Sequence, residues 1–355
     1  MYSVTFNNKN SLFYNTVKDS VNNYFEKNNI KATGNYKLYL KALTLIPLAV
    51  FIYITLIFYT PAPFVSLVLC GIFGFILASI GFNVMHDACH GSYSGKKWVN
   101  DLLGLSLNAL GGNAYIWKLK HNIVHHTYTN IDGIDDDIAK APIMRQCKSQ
   151  PRYKAHKYQH IYIILVYGLS SFLWVFLMDF AKYFTKKVYT TPIRNMDKGE
   201  HIIFWLSKLL YAVFYIAIPV YFVGWAYWLA GFFAMHFIMG LTLAIVFQLA
   251  HVVESTDFIE ATPEQNKVES EWAVHQVKTT ADFATDNKLV SWFVGGLNFQ
   301  IEHHLFPRVS HVHYPAINKI VKDTCEKYNI PYNYYPTMTS AVVSHFRFMK
   351  DLGKA

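Results

Sequence analysis

His121-Asn122-Ile123-Val124-His125-His126 puts three imidazoles into six residues, directly after Lys118-Leu119-Lys120. On a helix His121 and His125 stand four apart and share a face, and His126 is turned about 100° from His125. One helical turn can then offer imidazole nitrogens to two neighbouring metal ions. Neither packing nor solubility asks for this pattern, because histidine is an indifferent helix former and a good metal ligand. Taken alone, the stretch would read as a polar helix end. Two more clusters change that. His86-Asp87-Ala88-Cys89-His90 repeats the i, i+4 spacing, and Gln300-Ile301-Glu302-His303-His304 adds a third group. His251 closes the apolar run from Leu241 to Ala250. All of these stand at or near the end of an apolar segment.

The candidate metal ligands and catalytic residues are therefore His86, His90, His121, His125, His126, His251, His303 and His304, with Gln300 as a further metal candidate. Eight imidazoles are too many for one ion of roughly four to six ligands and suit two. Cys89 reads as a small packing residue. Asp87 and Glu254, each beside a candidate ligand, are expected to orient imidazole N–H groups.

Only 15% of the 355 residues are charged, 53% are hydrophobic and 17% are aromatic. A soluble domain carries nearer 25% charge, so the composition fits one polytopic membrane unit. The formal net charge of +9 fits positive loops at a membrane face, and no nucleic-acid partner is expected. Cys70, Cys89, Cys147 and Cys325 show neither zinc spacing nor a secreted disulfide pattern. The first 39 residues are rich in Asn and Lys and have no apolar core of the signal-peptide kind. Within them Ser11 to Lys27 is weakly amphipathic and is expected on the membrane surface.

Ala42 to Tyr59 reaches roughly 27 Å as a helix, enough to span. Thr60-Pro61-Ala62-Pro63 breaks it, and Phe64 to Met85 returns directly into His86. The turn is uncharged and the flanks carry lysines, so both ends are expected in the cytoplasm. Trp98 to Trp117 is interrupted by polar residues and glycines and reads as interfacial. Thr127 to Gln159 is polar, and its run Asp132, Asp135, Asp136, Asp137 reads as a solvated loop. Ile161 to Phe180 is apolar enough to span. The loop after it holds Lys182, Lys186, Lys187, Arg194 and Lys198, so this helix is expected to return or stay at the interface. Ile202 to Val223 and Tyr227 to Ala250 form a second hairpin around an uncharged aromatic turn. His236 lies about 22 Å from His251 along that helix, too far to share its site, and reads as a hydrogen-bonded intramembrane histidine. His311 and His313 read as imidazole-orienting or surface residues; His156, His160 and His345 are expected outside the metal site. The expected architecture is all-α and integral to the membrane. It has one domain over 1–355: an N-terminal segment 1–40, hairpin 42–85, first and second boxes with interfacial helices 86–200, hairpin 202–250, and a cytoplasmic helical cap 251–355 with the third box. The site faces the cytoplasm.

A zinc protease would need His-Glu-x-x-His, and a soluble di-iron oxygenase would supply glutamates. Neither pattern is present. Imidazole alone does not choose among iron, zinc, copper and nickel. Placement beside a bilayer of alkyl chains favours a redox metal acting with oxygen on an unactivated C–H bond. A metal transporter would line a path through the bilayer, where only His236 stands.

The boxes His-x-x-x-His, His-x-x-x-His-His and Gln-x-x-His-His resemble those of membrane fatty-acid desaturases. The leading Gln300 resembles the front-end subgroup, which places a new double bond between an existing one and the carboxyl end. The likeness to cyanobacterial-type delta-6 enzymes extends to His125-His126-Thr127-Tyr128-Thr129-Asn130, Phe247 to Ser255, Thr279 to Thr285 and His303 to Pro307, and covers roughly residues 40–350. It implies four spanning helices under a cytoplasmic cap that holds two iron ions. It also implies oxygen-dependent insertion of a cis double bond into a long acyl chain carried by a membrane lipid, CoA or ACP. No His-Pro-Gly-Gly motif of a fused cytochrome b5 occurs, and no bound haem or flavin is expected. Electrons would come from a separate ferredoxin, or from cytochrome b5 with its reductase. A related di-iron lipid hydroxylase or sphingolipid desaturase would carry similar boxes.

Overall fold

The computed structural model describes residues 4–193, 195–261 and 267–354, so Arg194 of the basic loop lies outside the described part. Helix α1 spans Leu12–Lys27. Helix α2 spans Tyr36–Tyr59, and its first turn is capped by Asn35, which accepts from the Lys37 N–H. Thr60 turns the chain with a φ of 39°, and Pro63 opens α3, Pro63–His90, at the position where its missing N–H costs nothing. The expected hairpin is thus present, and its second arm runs without a break into the first histidine box. Short helices follow: α4, Lys97–Gly104; α5, Ser106–Ala109; and α6, residues 114–128, which carries the second box. Helix α7 spans Lys154–Thr185. Helix α8, Lys198–Val223, and helix α9, Trp225–His251, form the second hairpin around Gly224, whose φ of 82° suits glycine.

Five helices, α2, α3, α7, α8 and α9, are long and apolar enough to cross a membrane. They expose Leu43, Phe51, Phe58, Phe64, Leu209 and Tyr221, faces that suit a bilayer solvent and not water. The protein is therefore multi-pass. All five were read as apolar in the sequence, with four expected to span and α7 expected to return or stay at the interface. Its middle is not straight α-helix: Trp174–Met178 is a π turn, a usual seat of a bend. Both of its ends meet one short segment. Tyr162 Oη donates to the Ile143 carbonyl at 2.7 Å, and Lys182 Nζ donates to Asp136 at 2.7 Å. Between them, Ser171 reaches His236 in the middle of α9. Close approach of α7 to α9 depends on small residues: a Cβ on Gly240 would lie 2.7 Å from the carbonyls of Gly168 and Tyr167.

The chain after α9 forms α10, Trp272–Thr279; α11, Lys288–Phe293; α12, Gln300–Leu305; α13, Tyr314–Lys327; and α14, Met338–Lys354. Two-residue strand pairs tie distant segments together, among them Asp282–Phe283 beside Tyr334–Tyr335. The placement of α1 corrects the sequence expectation. Its stripe of Phe13, Val17, Val21 and Phe25 does not lie on the membrane surface. It packs with Val277, Ile301, Ile317 and Val321 of α10, α12 and α13. An amphipathic stripe states that a partner exists, and here protein supplies it.

Candidate metal centre

Four parts of the chain deliver imidazoles to one buried region. Helix α3 passes through the π turn Gly81–Met85 and then presents His86 and His90. A second π turn, Leu119–His125, carries His121 and His125, with His126 next. Helix α9 ends on His251, and the short α12 presents His303 and His304. Ligand nitrogens of His86, His90, His121 and His303 lie within 4.8 Å of one another, and so do those of His125, His251 and His304. His126 stands between the groups, its Nε2 3.3 Å from that of His121 and its ring stacked on His304 at 4.4 Å. Gln300 is buried at the first position of α12, one turn before the histidine pair.

The outer ring nitrogens are held by protein. His125 Nδ1 meets Asp135 at 3.1 Å, His303 Nδ1 meets the Tyr314 hydroxyl at 3.0 Å, and His304 Nδ1 meets Gln276 Oε1 at 2.8 Å. His251 Nδ1 faces the Thr279 carbonyl at 3.4 Å. In all four rings Nε2 is buried without a partner, as are His90 Nε2 and His126 Nδ1. Orphaned buried nitrogens are costly, and so many in one place need a common occupant. A donor set of imidazoles, each fixed by its far nitrogen, fits a transition metal.

The electrostatics agree with that fit. Burial, and then the neighbouring imidazoles, push His121, His126, His303 and His304 well below the usual histidine range, so their lone pairs stay available. His125 behaves differently. Burial opposes its charged form, but Asp135 by charge and hydrogen bond, and Asp137 by charge, raise its pKa. That carboxylate pair favours positive charge on the ring whether a proton or a metal brings it. Behind α12, Glu302 and Asp282 both bind the Tyr332 hydroxyl, at 3.0 and 2.5 Å. Burial first and Asp282 second push the Glu302 carboxyl well up, and the shared Tyr332 hydroxyl ties α12 to Asp282.

Three expectations about supporting residues are corrected. Asp87 does not orient a box histidine; it takes His311 Nδ1 at 3.0 Å and the Ser310 hydroxyl at 2.6 Å. Glu254 is exposed, whereas the eight imidazoles are buried. The acidic run is not a solvated loop, because Asp135 and Asp136 are buried and Asp137 is partly so. In place of Asp87 and Glu254 the orienting groups are Asp135, Gln276, Tyr314 and the Thr279 carbonyl. His156, His160 and His345 lie outside both groups, and His236 is held by Ser171 and Tyr211 in mid-helix. His311 and His313 are buried; His313 bonds the Thr33 carbonyl. Cys89 is buried and joins neither group.

A cavity of about 190 Å³ touches His86 and His121. Leu77, Gly81, Met85, Leu243 and Phe247 line its apolar length, and Lys120, Lys140 and Lys182 stand at one end. A larger cavity, about 740 Å³, lies between the turn ends of the two hairpins, lined by Pro61, Phe64, Phe222 and Trp228, and touches no histidine.

The fold and site define a polytopic helical membrane protein built around a buried polyhistidine centre with an apolar slot beside it. The family model for fatty acid desaturases matches residues 30–336. The acyl-lipid (8-3)-desaturase of Physcomitrium patens is 39% identical over 97% of this chain and 72% of its own length. The sn-1 linoleoyl-lipid 6-desaturases of Arthrospira platensis and Synechocystis are each 34% identical, over 94% and 97% of this chain and 90% and 96% of their own lengths. The chain belongs to the fatty acid desaturase family, in its front-end subgroup, and is an oxidoreductase that desaturates fatty acyl chains.

Proposed function

We propose that the eight histidines hold two iron ions and that the enzyme uses molecular oxygen to desaturate an acyl chain esterified in a membrane lipid. The observation that carries this reading is the set of six buried ring nitrogens with no protein partner, converging beside an apolar slot. Iron bound there supplies the redox chemistry that an unactivated C–H bond needs and side chains lack. In the overall reaction two adjacent methylenes lose one hydrogen each. Oxygen, two electrons from a donor and two further protons balance as two waters. The protein's own work is positional. The alkyl chain offers no polar handle at the reacting carbons, so the walls at Leu77, Met85, Leu243 and Phe247 fix its path. The lipid substrate is suggested by the names of the relatives, which are acyl-lipid and linoleoyl-lipid desaturases.

The proposed topology is four spans, α2, α3, α8 and α9, with α7 re-entrant and the histidines and cap in the cytoplasm. Uncharged outer turns at Pro61 and Trp225 support it, as does the contact of both ends of α7 with the one segment 136–143. A separate ferredoxin or cytochrome b5 would dock on the cap, where the chain's basic balance suits an acidic donor. Gas chromatography of lipids from a host expressing the chain, with double bonds located by mass spectrometry, tests the reading. A new cis double bond on the carboxyl side of an existing one, with linoleoyl chains used better than stearoyl, is expected. A hydroxylated product, or a new bond on the methyl side, would overturn it.

A further inference from the structure

The lysines at one end of the slot are unusual for a cavity built to hold an alkyl chain. Lys120 pairs with Asp137 at 2.5 Å, and Lys182 pairs with Asp136 at 2.7 Å. Lys140 also lines the slot, yet its ammonium donates only to the backbone carbonyl of Asp136, and no carboxylate among the described residues pairs with it. Three ammoniums thus face two carboxylates, and one donor is left over at the polar end of an otherwise apolar space.

This end lies close to the imidazoles. A carboxylate oxygen of Asp137 is within 4.8 Å of ligand nitrogens of His121 and His125, and the same carboxyl group receives Lys120. The Lys120 ammonium is therefore less than about 10 Å from an imidazole, and Lys140 lines the same slot as His86 and His121. Along α3 the lining runs from His86 back to Leu77, nine residues or roughly 13 Å of helix. That length matches about ten carbons of an extended alkyl chain.

We infer that Lys140, supported by Lys120 and Lys182, binds the carbonyl oxygen of the acyl ester and so measures the site of desaturation from the carboxyl end. The inference rests on the desaturase function proposed above and adds the group that sets the position. Hydrogen bonds from charged donors to a carbonyl are strong in a dry site, and a fixed donor in the slot that reaches the box histidines defines a register that apolar walls cannot. Lys140 is a positioning residue here, since it acts at the ester and not at the reacting carbons.

The test uses the full chain in host membranes supplied with electron donor. In Lys140→Gln, conversion at limiting substrate is expected to fall at least tenfold, and product isomers displaced by one or more carbons should appear. Lys140→Arg should restore position, and iron per protein should match wild type in both. A second arm needs no variant: wild-type enzyme receives ester lipid and the matching ether lipid, which lacks the carbonyl. Loss of positional fidelity with the ether is expected. Equal turnover and one product position with both lipids, or an unchanged product from Lys140→Gln, would overturn the inference. Absence of any desaturated acyl product from wild type would instead sink the proposed function itself.

Discussion

Asp135 holds Nδ1 of His125 between both carboxylate oxygens, at 3.1 and 3.3 Å, and is itself held by the amides of Asn130 and Asp137, each at 3.0 Å. A turn of backbone is thus wound around one carboxylate whose outward face meets an imidazole. The ring cannot rotate without breaking that turn, and its Nε2 stays aimed at His251 and His304.

Asp135→Asn should loosen this aim, because an amide cannot offer two acceptor oxygens to one ring and two amides. Iron per protein and turnover are expected to fall together by about ten- to a hundredfold, the usual cost of removing a group that orients a metal-bound histidine. Metal analysis of purified protein beside lipid chromatography checks it. Asp132→Asn, at a residue that bonds Ser149 and Gln150 instead, should leave iron near wild type. Equal loss in both variants would make Asp135 a folding residue only.

Replacing His125, His251 or His304 by Ala should lower bound iron and abolish desaturation. His156→Ala, His160→Ala and His345→Ala should keep the metal. His345 is the stringent control: it is buried between the Tyr167 hydroxyl and the Val252 carbonyl, so its loss disturbs packing one residue beyond His251. A strong chelator should inactivate the enzyme, with iron restoring it. Active protein that carries zinc and no iron would contradict the di-iron reading.

Topology can be read by labelling. Single cysteines near Pro61 and Trp225 should react with an impermeant reagent from outside, and one near Lys187 should not. Outside labelling at Lys187 would mean that α7 crosses the bilayer.

The crossing of α7 and α9 predicts a stability effect separate from chemistry. In Gly240→Val the new side chain would press on two carbonyls of α7, and overpacking of this kind costs about 1–3 kcal/mol. A lower melting temperature is expected, with iron per folded protein unchanged. Loss of iron in protein that melts like wild type would show instead that Gly240 affects the centre directly.

The long apolar helices and the boxes were legible in the sequence because each is local. A run of apolar residues, a Pro-rich break, or two histidines four apart can be read without knowing what lies opposite. What failed to show depends on partners distant in the chain. Gln276 and Tyr314 are ordinary residues until His304 and His303 arrive beside them. Asp87 stands next to His86, but on a helix adjacent residues point in different directions, and its carboxylate turns to His311. The acidic run looked solvated because charge normally is. Its aspartates are buried because Lys120, Lys182 and His125 come to meet them. Helix α1 shows the same limit, since its stripe was visible and the surface it covers was not.

The π turn Gly81–Met85, inserted between the membrane part of α3 and the first box, separates two requirements that a plain helix would couple. In an unbroken α-helix, adding or losing one residue turns everything beyond it by about 100°, which would swing His86 and His90 out of the centre. A π turn takes up one residue and leaves the helix on either side in phase. The helix can therefore gain or lose a residue at this point without turning the imidazoles away. A change in the length of α3 can be absorbed there before it reaches His86 and His90.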